Sequence, residues 1–304
     1  MLKLLFGIII FPGFLSTVAA GLLLSWIDRK VTARLQWRSG PPWYQPWADL
    51  AKLFGKETIV PQGSATAVFL VAPLLGIVAM TIIAAMVYTM NIHPDRGFIG
   101  DLIVLVYLFT IPTIGVFLGG TASRNPLASV GASREMTMYL GYEVPFLIAI
   151  ATVIVKAGGT IKLGEIILAQ RSAGPFLYSI SGVIAGLVML LAVQAKLGFS
   201  PFDSPEAEQE IMAGPFIEYS GVALAFFRIT KAMMLFVLPL FIVSILWGGF
   251  TTWWAAAKFL AIFVLLVLIK NTNPRVRIDQ ALRFFWTWLS AAAAIGLVLA
   301  LFGL

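Results

Sequence analysis

Apolar runs of about 20 residues recur along this chain, and nothing else in it constrains the fold as much. A helix needs roughly 20 residues to cross the ~30 Å hydrocarbon core of a bilayer. Windows that meet this length fall at 4–27, 66–90, 102–122, 138–157, 175–197, 221–247, 253–270 and 284–304. The fold class expected is therefore an all-α integral membrane protein of about eight transmembrane helices. Only 12% of the 304 residues are charged, about half the share usual in soluble domains. No repeat or soluble linker divides the chain, so residues 1–304 read as a single transmembrane domain.

Charge sets the orientation. The first, third, fifth and seventh loops carry Arg29, Lys30, Arg34, Arg38, Lys52, Lys56, Arg124, Arg134, Lys196, Lys270, Arg275, Arg277 and Arg283. The other side carries Lys3, Arg96, Lys156, Lys162 and Arg171. Thirteen cations against five put the odd loops in the cytoplasm and both termini outside, in a multi-pass protein of the cell membrane. The net charge of +7 sits in short patches beside apolar runs, which suits topology and anionic lipid rather than nucleic acid. All nine Trp lie at or just beyond the window ends, as an interfacial belt requires.

Between the first two windows, residues 43–57 place Trp47, Leu50 and Phe54 at helical spacing with Asp49, Lys52 and Lys56 turned elsewhere. This is the pattern of an amphipathic helix lying in the interface. Just before it, Lys30, Arg34 and Arg38 recur every four residues and share one face of an extension of the first helix. That basic face suits either anionic lipid or a cytoplasmic partner.

The acids are concentrated in one place. Asp203, Glu206, Glu208, Glu210 and Glu218, five of fourteen acids, fall between two apolar runs on the cytoplasmic side. Clustered carboxylates at a bilayer edge raise one another's proton affinity and can hold and pass protons. Glu143 falls inside the fourth window, two residues before Pro145. Proline offers no N–H to the carbonyl of Gly141, and an intramembrane acid costs about 2.5–3.5 kcal/mol even on insertion scales. Arg228 and Lys231 stand three apart on one face of the sixth window, with Glu218 or Glu143 as natural counter-ions. Asp279 is expected to cap the last helix through salt bridges with Arg275, Arg277 and Arg283. With no Cys and one His, His93, the chain has almost nothing to ligate an iron–sulfur cluster, zinc or haem. No metal site and no catalytic residue are assigned.

Several blocks together resemble one family. The stretch Pro201–Gly221 with its acids, Asp28-Arg29-Lys30, Arg34-Leu35-Gln36, Gly40-Pro41, Gln45-Pro46 to Glu57, Tyr142-Glu143-Val144 and Asn273 to Gln280 occur in the order of the H-type membrane subunits of respiratory complex I, the NADH-quinone oxidoreductase. The resemblance spans nearly the whole chain. It implies the heel subunit that joins a membrane arm to a cytoplasmic redox arm, carries no redox centre, and couples electron transfer to H⁺ or Na⁺ translocation. Glu143, Asp203, Glu206, Glu208, Glu210 and Glu218 would match the acids leading inward from the redox arm, with Arg228 and Lys231 beside them. Arg29, Lys30, Arg34, Arg38, Arg275, Arg277 and Asp279 would face that arm.

Between Pro41 and Gln45 only Pro42, Trp43 and Tyr44 intervene, where quinone-reducing members carry a longer segment. The short form resembles the branch found in membrane-bound [NiFe]-hydrogenases and their sulfur-reducing relatives. That branch implies hydrogenase-like large and small subunits and an iron–sulfur protein as cytoplasmic partners, which would hold the [NiFe] centre and the clusters, and antiporter-like partners in the membrane. Two other readings stay open. One is the quinone-binding subunit of a complex I-type NADH dehydrogenase, the other a stand-alone secondary ion transporter using Glu143 and Arg228.

Overall fold

The computed structural model describes residue 7 and residues 9–250 and 253–304, without the side chain of Glu208. The start of the first apolar window, with Lys3, lies outside the described residues. The described residues are helical throughout, with no strand among them. Among the described residues, six helices are long and apolar enough to cross a membrane. They are α3 (Thr66–Ile92), the pair α4 (Asp101–Leu108) and α5 (Ile111–Ala122), which reads as one span, α6 (Pro126–Lys156), α9 (Gly221–Leu246), α10 (Ala255–Thr272), and the last span over Ile278–Leu301. α8 (Ile180–Lys196) is a shorter apolar helix of 17 residues. α1 (Phe14–Leu35) carries Asp28, Arg29, Lys30 and Arg34 in its second half and is less apolar. α2 (Gln45–Phe54) is the amphipathic helix, shorter at both ends than its sequence window, and α7 (Leu163–Ala173) is a helix that the apolar windows do not contain.

Several boundaries differ from the sequence windows for local reasons. α6 begins at Pro126, well before residue 138, because Asn125 caps it by accepting from the amide of Leu127 at 2.8 Å. Pro126 is suited to the first helical position, where its missing N–H costs nothing. α6 then runs through Pro145 without a break. The last span starts as α11 (Ile278–Arg283), widens into a π-helical turn over Phe284–Leu289, and continues as α12 (Ser290–Leu301).

α9 is the central post. Of its most apolar stretch 89% is buried, against 28% for the last span, so α9 is surrounded by protein while the last span faces outward. α1 approaches α9 closely at Gly21, where a Cβ would overlap the carbonyl of Ala232. α3, α5 and α6 close one side, and α8 and the last span pack on α6. This leaves the acidic loop, residues 198–220, lying across the ends of α5, α6, α9 and α10.

Candidate coupling site

The deepest polar group is a buried ion pair. Lys196, the final residue of α8, reaches Glu143 on α6, with Nζ 2.6 Å from Oε2. Both side chains are almost closed to solvent, at 1% and 11% exposure. The ammonium also lies 4.9 Å from the Tyr142 ring and 4.8 Å from the Phe146 ring, which face it with their π-clouds. Lys196 reads in the sequence as one more loop cation after an apolar run. It is instead the counter-ion of Glu143, the role expected above of Arg228 or Lys231.

Toward the loop the pattern of alternating charge continues. Lys231 on α9 donates to both oxygens of Glu206 at 2.8 Å. Between this pair and Lys196 sits Glu135, two turns before Glu143 on α6. Glu135, Lys196, Glu206, Lys231, Thr113 and Thr230 line a cavity of about 50 Å³. A water needs roughly 10–15 Å³ of such volume, so the cavity has room for at least one. Residues 135, 139, 142 and 143 share a face of one helix, which places Glu135 over the buried pair.

The small cavity lies beside a larger one. Gly198 and Lys231 line both it and an open cavity of about 740 Å³ between α1, α2 and α9. Arg29, Lys52, Lys56, Arg228, Lys231 and Lys270 line that larger space, opposed by Asp28, Asp49 and Asp203, with Leu22, Leu50, Leu53 and Leu235 as apolar wall. Gly198 and Glu206 also border a third cavity with Asp203 and Arg275. Polar groups thus line neighbouring cavities from the open face, through Lys231 and Glu206, to Glu135 and Lys196, and Lys196 in turn holds Glu143.

The remaining acids of the loop diverge. Asp203 accepts two hydrogen bonds from the Arg275 guanidinium at 2.8 and 2.6 Å. Glu210 is held by Arg134 at 2.6 Å and Glu218 by the Asn125 amide at 2.6 Å. Glu206 and Glu210 point to different partners, because Ala207 is extended between a 3₁₀ turn (Ser204–Glu206) and a single helical turn (Glu208–Ile211). The side chain of Glu208 lies outside the described residues. Arg228 faces the large cavity beside Lys231 and has no ion pair among the described residues.

Of the basic residues assigned to docking, only some are free to dock. Arg29 is tied to Asp49 at 2.8 Å, joining α1 to α2. Burial alone would raise the Asp49 carboxyl, but hydrogen bonds from Arg29 and Gln45 outweigh it and hold the group below its usual range. Lys30 reaches the carbonyl of Gly40 at 3.4 Å, and Arg275 is engaged by Asp203. Arg34 and Arg38 are exposed. The cap expected around Asp279 reduces to Arg277, 3.3 Å away and exposed, since Arg275 turns to the acidic loop. Asp28, buried on α1, pairs with Lys270 at 2.7 Å and fixes α10 against α1.

Aromatic packing joins these groups mechanically. Phe285 in the π-helical turn packs with its ring tilted 4.7 Å from Phe202, the neighbour of Asp203, and edge-on 6.3 Å from Tyr142, the neighbour of Glu143. Trp286 donates to the carbonyl of Leu140 at 3.1 Å. No group of three or more His, Cys, Asp or Glu among the described residues converges as a metal site would require.

Comparison with known proteins settles the family. The family model for NADH dehydrogenase matches residues 6–301. The chain belongs to the family of NADH-quinone oxidoreductase H-type membrane subunits. The H-type protein of Geobacillus kaustophilus is 30% identical over 96% of this chain and 91% of its own length. That of Thermomicrobium roseum is 32% identical over 93% of this chain and 92% of its own length. Among solved structures, a chain of the membrane-bound sulfane sulfur reductase, an archaeal respiratory membrane complex, matches with a TM-score of 0.85 and 33% identity, over 98% of each chain. As a member of this family the chain is an all-helical, multi-pass membrane protein, and its buried ion pair sits where the acidic loop meets α6.

Removing one partner of a buried pair leaves an uncompensated charge and costs about 3–5 kcal/mol. Lys196→Met should therefore lower the unfolding midpoint in detergent markedly. Adding Glu143→Gln to it should restore most of the loss. Equal midpoints for Lys196→Met and the unmodified protein would show that the pair carries no charge.

Proposed function

We propose that this protein is the non-redox membrane subunit of a multisubunit respiratory oxidoreductase, anchoring a cytoplasmic redox arm and coupling electron transfer to H⁺ or Na⁺ translocation. The acidic loop and α2 face the cytoplasm and both termini lie outside. The observation that carries this reading is the line Glu206, Lys231, Glu135, Lys196, Glu143, in which acids and bases alternate from an open cavity to the bundle interior. Each ion pair in such a line stabilises one protonation state of the next group, so a charge change at the open end is passed inward. Arg275 on Asp203 and Arg134 on Glu210 hold the loop in register with this line. Electron transfer in the arm above would alter charge at the loop, shift the protons on Glu206, Glu135 and Glu143, and hand the signal to antiporter-like neighbours in the membrane.

The partner arm is of the sulfur-reducing or [NiFe]-hydrogenase type in this proposal, with the iron–sulfur clusters and any [NiFe] centre held by partner subunits. Two things support that branch. The segment between Pro41 and Gln45 is short, and the likeness to the sulfane sulfur reductase chain extends over 98% of both chains. A second reading, quinone binding as the names of the curated relatives state for them, is favoured by the 740 Å³ cavity behind α2. The complex purified on a tag on this chain separates the two. Iron, with or without nickel, and no photolabelling of residues 40–57 by a quinone analogue is the expected result; specific labelling there would establish the second reading.

Glu143→Gln tests the coupling itself. The variant complex should assemble and transfer electrons while losing ion transport into proteoliposomes at least tenfold. Unchanged transport would remove Glu143 from the mechanism.

A further inference from the structure

α1 ends in a way that its own chemistry does not favour. The Arg38 amide donates to the Ala33 carbonyl at 2.8 Å and the Trp37 amide to the Arg34 carbonyl at 3.2 Å. This is the pair of bonds that closes a Schellman helix end, whose left-handed position is usually filled by glycine. Here Trp37 occupies it, with φ +59°. A bulky residue there is disfavoured by contact between its Cβ and the backbone.

The same residue is 98% exposed, and Leu35 beside it is 48% exposed. Exposed cations Arg34 and Arg38 flank them, and neither has an ion pair among the described residues. The projection is also held rigid. Beyond it, Trp26 donates to the Pro41 carbonyl at 3.1 Å, and Gly40 lies so close to Lys30 that a Cβ would stand 3.0 Å from the Lys30 Cα. An ordered, left-handed, fully exposed tryptophan is costly to the isolated chain twice over, in backbone conformation and in hydrated apolar surface.

Its height decides what covers it. Asp28 meets Lys270 in the last turn of α10, at the level where the apolar part of that helix ends. Leu35 lies seven residues further along α1, about 10 Å at 1.5 Å per residue. The headgroup layer is only about 5–7 Å deep on each side. Indole anchors for lipid sit within that layer, and with α1 upright in the bilayer Trp37 extends past it. Tryptophan and arginine at the centre of a rigid projection are the residue types that dominate protein–protein contacts.

We propose that Trp37, flanked by Leu35, Arg34 and Arg38, is the anchor by which this subunit docks its cytoplasmic redox partner, entering an apolar pocket with an acidic rim. This rests on the reading that such an arm exists, and it assigns the contact to one side chain that is free, rather than to Arg29 and Arg275, which are spent on internal pairs.

The test uses the whole complex purified through this subunit. Glycine is the residue that suits φ +59°, so Trp37→Gly leaves the subunit folded and at least as heat-stable in detergent. Recovery of the redox arm with it should fall at least tenfold at moderate salt, and Trp37→Phe should fall less. Full recovery with Trp37→Gly overturns the proposal. Because the chain has no cysteine, Trp37→Cys supplies a second readout by labelling this subunit with a water-soluble maleimide. The thiol should be protected in the intact complex and labelled once salt has stripped the arm. Labelling in both states means the site is not in the contact, and protection in both means lipid covers it; either result overturns the proposal. Failure of the unmodified subunit to bring down any redox arm would instead count against the functional reading on which it rests.

Discussion

A lysine ammonium and a glutamate carboxylate held 2.6 Å apart inside an apolar bundle fix the rest of this structure. Two charges removed from water are tolerated only when geometry and further contacts offset the loss of hydration. α6 and α8 must therefore meet at one register, with the Tyr142 and Phe146 rings turned to the ammonium. That register carries Glu135 to the small cavity and sets the end of α8, from which the acidic loop departs across the ends of the neighbouring helices. The loop is then tied at Arg275, Lys231, Arg134 and Asn125, four different anchor points.

The ion pairs fall into two sets. Pairs that close on themselves, Asp28 with Lys270 and Arg29 with Asp49, brace α1, α2 and α10 as a platform. The line from Glu206 to Glu143 is different, because Glu135 stands between two pairs and belongs to neither. Glu135 lines the same small cavity as Lys231 and Lys196, each of which already has an acidic partner. Packing of Phe285 between Phe202 and Tyr142 gives the loop a second, mechanical hold on α6.

Much of this is legible in the sequence, and the parts that are not have physical reasons. Apolar length marks the spanning helices, and the amphipathic spacing of Trp47, Leu50 and Phe54 marks α2. Glu143 and the acidic loop stand out because charge is so scarce in the chain. Glu135 does not, because the polar first turns of α6 read as loop until the Asn125 cap shows where the helix starts. Its spacing of eight from Glu143 is the signal that could have found it. Lys196 is hidden for another reason: a lysine closing an apolar run normally reaches back to the interface, and only the approach of α6 turns it inward. Pairing within the loop is also out of reach, since one extended residue, Ala207, sends Glu206 and Glu210 to different helices.

On the proposed coupling role, electron transfer in a cytoplasmic redox arm should change proton occupancy along the line that ends at Glu143. Infrared difference spectra of the intact complex, oxidised against reduced, report carboxyl protonation directly. A protonated-carboxyl band is expected to change on reduction and to be lost or shifted in Glu143→Gln and in Glu135→Gln. A difference spectrum in this region that both variants leave untouched would contradict the coupling role.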